Sequence, residues 1–456
     1  MMTVLFLVME FPPLSSGGVF RPLRFIKGLH AKGIHPVVLT FEIDESFRNY
    51  HGNYDDQLLK QIPEGVTVIR VPIKDISRYA SSRLKRFFYT YFSITDRFGK
   101  AWKDNLMATI PSVIEKYKPV ALYATVPPYS AAGLAEEISK KFNLPLLLDM
   151  RDAWAKLSMS PLGSYFHYLA KKKQERQAFV QAKRVVTVTP QLGRIFQRTH
   201  PSLPSEKFRI VFNSFDAALP EKLTVRSPEI TEKETFHIGY TGFFYYSPES
   251  RRMMLKPWYK KKGHRMLQYT PVKEDWLYRS PYFFFKVMNR LFEKRPEWRK
   301  KVFFNHIGEQ PAWLAGMAEE AGLTGNVIFH GYHSQQKVNE LQQGFDLLLG
   351  TSEKVIGEEH YCLPSKLFSY LRAGKPVLGL VTPGIQEEFL RRSRVGIIAD
   401  PDNIEAAASR MEQILLYGYS ADLDLEYLKG FSSEETVSQI WMILQDIIGI
   451  DHKQIM

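Results

Sequence analysis

Residues 355–384 read Val355-Ile-Gly-Glu-Glu-His-Tyr-Cys-Leu-Pro-Ser-Lys-Leu-Phe-Ser-Tyr-Leu-Arg-Ala-Gly-Lys-Pro-Val-Leu-Gly-Leu-Val-Thr-Pro-Gly384, and this stretch decides how the rest of the chain is read. A loop carrying Glu358 and Glu359 runs into Pro364-Ser365-Lys366. A short helix is predicted from Leu367 to Ala373, closed by Gly374. Pro376 then opens an apolar strand, Val377 to Val381, which ends at Thr382-Pro383-Gly384. The head of such a helix offers free backbone N–H groups and a positive dipole end, which suit a phosphate. Lys366 adds a mobile cation in the first turn.

Outward from this unit, strand-like runs alternate with helical ones along the whole chain. Val4–Val8 leads through Gly17-Gly18 to a helix near Val19–Lys32, and His35–Thr40 and Thr67–Val71 follow. Ala121–Thr125 leads to Pro127-Pro128 and a helix over Ser130–Lys141. Leu146–Met150 leads to Arg151-Asp152-Ala153-Trp154, and a helix near Phe166–Ala182 precedes Arg184–Val188. Phe208–Phe212 runs into Asn213-Ser214-Phe215-Asp216. A second series reads Phe236–Tyr240, Val302–Ile307, Val327–Gly331, Asp346–Leu349, Val377–Val381 and Gly396–Ala399, and a helix near Thr436–Ile448 ends the chain. Continuous apolar strands with helices between them indicate α/β architecture with parallel sheets covered on both faces. The polar link at 217–235, with Pro220 and Pro228, marks a boundary. The expected organisation is two doubly wound, Rossmann-like domains, 1–220 and 235–432, facing across a cleft, with a last helix at 433–456 packing back on the first domain. In such sheets ligands sit beyond the carboxyl ends of the strands.

The 456 residues exceed what one core usually serves, so size agrees with two domains. The single cysteine, Cys362, excludes an internal disulfide and fits a reducing compartment. Thr3–Met9 is apolar but only a strand long and lacks a basic leader, so it reads as a buried strand, not a signal peptide. No run reaches the roughly 18 apolar residues of a membrane span. A cytoplasmic protein is expected. The net charge of +13 is uneven: residues 251–301 hold 16 Lys/Arg against 4 Asp/Glu. This basic, aromatic insertion at about 243–282 calls for an anionic partner.

Pro364-Ser-Lys-Leu-Phe-Ser-Tyr370 followed by Ala373-Gly-Lys-Pro376 resembles the nucleotide-sugar donor site of bacterial glycosyltransferase family 4, and the resemblance extends from the first strand to the last helix. It implies a GT-B fold and a donor site containing Gly17, Gly18, Gly242, Glu359, Pro364, Ser365, Lys366, Leu367 and Ser369. Arg21 follows the glycine pair, as is common in the family. The family carries glutamates where Tyr361 and Ser369 stand here, so Glu358 is the candidate carboxylate near the donor sugar and Ser369 a weaker partner for ribose. Many members place an Arg just after the Gly242 loop and a Lys beyond it, which neutralise the departing diphosphate. Phe243-Phe244 occupies that place here, and Arg251 and Lys256 keep the spacing later in the chain. Arg151-Asp152-Ala153-Trp154 resembles an Arg-Asp-Leu-Trp signature, so Asp152 is a candidate for sugar hydroxyls or proton handling. Asp152 also reads as a turn cap, and Arg151 as an acceptor contact or a partner for Asp149. Thr125-Val-Pro-Pro-Tyr129 places Pro128 and Tyr129 on the acceptor side; a tight turn before a helix explains the prolines equally well.

The histidines show no metal spacing, Asp422-Leu-Asp424 lies away from any strand end, and no P-loop exists, so no metal and no cofactor is expected beyond the nucleotide-diphosphate sugar as substrate. Arg83–Trp102 mixes cations with Phe87, Phe88 and Phe92, which suits either an anionic lipid surface or an aromatic face packed on the domain. The implied function is a retaining, metal-independent glycosyltransferase acting on a surface glycan or lipid-linked acceptor. A GT-B nucleotide-sugar epimerase and a non-catalytic sugar-nucleotide or glycan binder are the alternatives, and nucleic acid is not an expected partner.

Overall fold

Val4, Leu5, Phe6, Leu7 and Val8 are all fully buried, as a central strand covered on both faces requires. The computed structural model describes residues 2–43, 54–76, 82–91, 93–94, 96–156, 161–216, 219, 222–225, 235–261 and 263–450. Most of the 217–235 link, with Pro220 and Pro228, and also Phe92, lie outside the described residues. The chain forms two units. One holds Met1–Ser214, Lys262–Pro271 and Phe431–Met456; the other holds Phe215–Lys261 and Val272–Gly430.

In the first unit, strands β1 (Met2–Leu7), β2 (Ile34–Phe41), β3 (Thr67–Val71), β4 (Ala121–Val126), β5 (Leu146–Met150), β6 (Arg184–Thr187) and β7 (Phe208–Ile210) make one sheet. Their order is β3-β2-β1-β4-β5-β6-β7, and every pairing is parallel. The chain steps outward from β1 to β3 and returns to β4 on the other side. That reversal opens a crevice at the carboxyl ends of β1 and β4. The first helix, Phe20–Ala31, buries Leu23, Phe25, Ile26 and Leu29 in the core that also takes Val437, Ile440 and Leu444 of the last helix, Ser433–Ile448.

In the second unit, β8 (Lys222–Val225) precedes β9 (Phe236–Thr241), β10 (Lys273–Asp275), β11 (Val302–Ile307), β12 (Val327–Gly331), β13 (Leu347–Thr351), β14 (Lys354–Ile356), β15 (Val377–Leu380), β16 (Gly396–Ala399) and β17 (Tyr419–Asp422). Six of these form a parallel sheet in the order β12-β11-β9-β13-β15-β16. This repeats the first unit's winding, now with the reversal between β9 and β13. Two small antiparallel pairs lie outside the main sheet, β10 with β14 and β8 with β17. The latter pair was not legible in the sequence. It places Asp422 at a strand end, while Asp424 caps the helix Leu425–Lys429, so the Asp-x-Asp spacing here serves local structure.

The 243–282 segment is divided between the units. The helix Pro248–Leu255 and β10 belong to the second, whereas 263–271 packs on the first through a backbone bridge between Leu162 and Tyr269. Among the described residues no helix is long and apolar enough to cross a membrane.

Candidate functional site

The carboxyl ends of β9 and β13 and the helix Lys366–Arg372 build the site of the second unit. The structure narrows the expectation of free N–H groups at this helix head to its start, Ser365 and Lys366, because from Leu367 onward the N–H groups are engaged. Leu367 N donates to Pro364 O at 3.2 Å, and Phe368 N and Ser369 N donate to Ser365 O at 3.1 and 3.3 Å. A seven-residue helix closes its first turn on its own preceding carbonyls. The side chain of Lys366 adds the positive charge at this point.

That side chain is not a mobile surface cation. Its ammonium lies 3.8 Å from the centroid of the Tyr240 ring and donates a hydrogen bond to the Tyr240 hydroxyl. Part of the residue still reaches solvent, but the ammonium itself is enclosed by protein. Burial, and then the neighbouring positive charge of Arg279, push its pKa well below the usual lysine value. Among the described residues Lys366 forms no salt bridge. Tyr240, next to last in β9, stacks on Phe244 at 3.9 Å between centroids, which fixes the ring beneath the cation. Gly242 follows at φ +102°, a conformation that a side chain disfavours, and its carbonyl pairs with His306 Nε2 at 3.1 Å. Burial lowers the His306 pKa to about 4, so its ring is neutral and donates to that carbonyl.

Arg279 was not singled out by sequence. It is buried beside Tyr245 and Trp276, with its guanidinium 4.8 and 5.3 Å from their rings. It pairs with Glu353 at 3.1 Å, and Glu353 also meets His360 Nε2 at 2.9 Å. Burial alone would raise the Glu353 pKa, yet His360 and then Arg279 hold it well below the usual carboxylate range. Glu353 follows β13, while His360 sits in the loop before Pro364. The triad thus ties the basic segment and the donor-like loop to the sheet. The backbone of His360 is fixed as well, through its N to Pro383 O at 3.1 Å and its O to Ile385 N at 2.9 Å.

The other expected donor residues are placed around this centre with different freedom. Leu367 is buried, Ser365 is exposed, and Pro364 is half-buried. Glu358 is half-buried and Glu359 exposed. Ser369 Oγ donates to Lys366 O at 2.8 Å, turned back on its own helix, and lies 3.4 Å from Gln342 Nε2. Tyr370, one residue on, accepts from Thr241 N at 3.1 Å and locks the helix to the end of β9. Arg251 lies on the helix Pro248–Leu255 in a bidentate pair with Asp275, at 2.6 and 2.7 Å. Its charge is already balanced. Lys256 follows as the C-cap of the same helix, and both line a shallow recess of about 560 Å³.

In the first unit, Gly18 is set by close approach. A Cβ there would stand 2.5 Å from both Arg151 Nη1 and Glu10 Oε2. At Gly17 a Cβ would meet nothing within 4 Å. Ser16 Oγ donates to Glu10 Oε2 at 2.6 Å, so a carboxylate and a guanidinium converge on the glycine loop at the carboxyl end of β1. Glu10 was missed by sequence, although its place directly after the first strand was a signal. Arg151 also donates to Pro127 O. Asp149 is taken by Arg21 instead of Arg151, at 2.8 Å, with both side chains buried. Tyr123 and Thr125 hydroxyls add bonds to Asp149 of 2.6 and 3.2 Å. Arg21 further donates to Val211 O and Phe212 O at 2.9 and 2.8 Å, which makes it a clamp between β5 and the segment after β7. Tyr129 stacks on Trp154 at 5.8 Å and donates to Ala153 O at 2.7 Å. Burial and then the Asp152 carboxylate push the Tyr129 phenol pKa well up. Pro128 and Asp152 flank this locked pair, half-buried at the strand ends. Among the described residues no group of three His, Cys, Asp or Glu is placed to hold a metal ion.

Residues 284–422 match the family model of glycosyl transferases group 1. The match spans β11 to β17 and includes Glu353, His360 and Lys366. The whole chain has the GT-B fold of solved glycosyltransferases. It is similar to Anabaena HepE in complex with UDP and glucose, with a TM-score of 0.54, 14% identity, and coverage of 98% of this chain and 100% of that one. It is similar also to the apo form of the lipopolysaccharide outer core galactosyltransferase WaaB, with a TM-score of 0.55, 11% identity, and coverage of 98% and 99%. The UDP-GlcNAc 2-epimerase of Methanocaldococcus jannaschii shares the architecture at a TM-score of 0.50 and 9% identity, with coverage of 98% and 100%. No curated protein matches the chain.

Proposed function

We propose that the chain is a glycosyltransferase that moves a sugar from a nucleotide-diphosphate donor to a surface glycan or lipid-linked acceptor in the cytoplasm, with retention of configuration and without metal. The observation that carries this reading is Lys366, a buried ammonium without a salt bridge among the described residues, at the end of the strands in the segment that resembles group 1 transferases. A diphosphate brought to this point supplies the missing negative charge. Lys366 binds it, while Arg279, paired with Glu353, holds the surrounding loop in place. As the bond from the sugar to the diphosphate breaks, the charge that accumulates on the leaving oxygen meets a cation already in place. Gly242 lets the backbone approach the donor, Glu358 and Glu359 lie on the loop that faces its sugar, and Ser369 accepts from ribose. Gly17 and Gly18 belong to the donor side, with Arg151, Asp152, Pro128 and Tyr129 on the acceptor side. Arg251 and Lys256 are reassigned to the basic surface, since Asp275 already neutralises the first. The lipopolysaccharide transferase among the similar structures supports a cell-surface acceptor.

The test is incubation with a panel of nucleotide sugars, with and without glycan and membrane-lipid extracts. Acceptor-dependent release of nucleotide is expected. Isomerisation of the donor without acceptor identifies an epimerase and rejects the reading, as does binding of donor with no turnover under any acceptor.

A further inference from the structure

We infer that the first unit carries a docking face for anionic lipid, formed by the helix Tyr165–Gln181 and the segment 263–271 that packs beside its start. The helix buries His167, Glu175, Ala178 and Phe179 and turns one continuous face to solvent. In its first half that face is apolar: Tyr165, Phe166 and Leu169 are exposed, Phe166 by 79%. One to two turns on, the same face carries Lys172, Lys173 and Arg176. Tyr269 packs on Tyr165 and Tyr168 at 5.0 and 5.2 Å and is bridged by backbone to Leu162. Two residues before it, Leu267 is 75% exposed. Burial of these apolar side chains is available at low cost, yet among the described residues they remain exposed.

The chemistry selects the occupant. Rigid apolar tips next to lysines and an arginine match a bilayer interface, with hydrocarbon just beneath anionic headgroups. The only acid of the helix, Glu175, is buried and bonded to His200 at 2.7 Å, and 263–271 contains none, so the face has no negative charge to offer. A second copy of the same face would set cations against cations. The helix Arg83–Tyr91, the other basic aromatic stretch, also exposes Leu84 and serves as the comparison in the test.

The inference stands apart from the transferase reading, because vesicle binding is read without turnover. Full-length protein is floated with vesicles of phosphatidylcholine alone and of phosphatidylcholine mixed with phosphatidylglycerol. Binding at least about tenfold stronger to the anionic vesicles, and weakened by salt, is expected. Phe166→Ser with Leu267→Ser should lower partitioning about tenfold or more. Lys172→Glu with Lys173→Glu should remove the preference for phosphatidylglycerol while the apolar tips remain. Circular dichroism and thermal melting verify that each variant is folded. Leu84→Ser should leave binding unchanged. Equal binding to both vesicles, no binding, full binding by either double variant, or loss on Leu84→Ser alone would each overturn the assignment, as would self-association through Phe166 in place of lipid binding.

Discussion

Arg21 in the first unit and Lys366 in the second are both buried cations near the carboxyl ends of parallel strands, and they are treated in opposite ways. Arg21 faces Asp149, which accepts from it at 2.8 to 3.2 Å, and two backbone carbonyls and the Asn213 Oδ1 take its remaining protons. Burial opposes its charge, but Asp149 outweighs burial and the net shift is upward. For Lys366 burial is reinforced by Arg279, and the net shift is strongly downward. A buried charge that is fully compensated holds a fold together, and one left under-compensated costs stability until a ligand arrives. The difference between the two sites is the difference between a structural clamp and a binding group.

The largest effect that tests this contrast belongs to the clamp. Arg21→Ala leaves Asp149 buried without its counter-charge and should cost about 3–5 kcal/mol in denaturant unfolding. A loss below about 1 kcal/mol would show that Arg21 is not the clamp. Next is a pH effect in the second unit. The His306 pKa falls from the ordinary 6.5 to about 4 on folding, so between those values the unfolded chain binds the extra proton. Stability from this group is complete above about pH 6.5 and declines as pH falls toward 4, by about 3 kcal/mol at most. His306→Gln should flatten that part of the stability profile, and an unchanged slope would remove His306 as its source. The smallest effect separates the two glycines. Gly18→Ala, which crowds Arg151 and Glu10, should cost about 1 kcal/mol, whereas Gly17→Ala should stay within about 0.5 kcal/mol. Equal costs in thermal unfolding would mean that the close approach at Gly18 is relieved by side-chain movement.

Much of the architecture was legible because parallel strands buried on both faces announce themselves as short apolar runs, as Val4–Val8 and Leu146–Met150 do. The Pro364-Ser365-Lys366 turn was legible because proline, helix former and glycine succeed each other in the order that a loop, helix and stop require. What stayed hidden depends on partners distant in sequence. Nothing near Arg21 reveals that Asp149 meets it, 128 residues away. The spacing of Arg251 and Lys256 is silent about Asp275, which takes the first of them. Arg279 lies in a run of many cations, and only packing distinguishes the one placed beside Lys366. The extent of the free helix head was hidden because propensity does not say that the N–H groups of Leu367, Phe368 and Ser369 close on Pro364 and Ser365.

The most direct measurement is calorimetric binding of nucleoside diphosphates and their sugar conjugates to the wild-type chain and to Lys366→Met, with thermal unfolding of both. Methionine keeps the length of the side chain and removes its charge. The variant should melt no earlier than wild type and lose about 2–3 kcal/mol of binding, a factor of roughly 30 to 150 in Kd. Equal affinity of the folded variant for the same ligand would contradict the claim that Lys366 is the cation that holds the diphosphate.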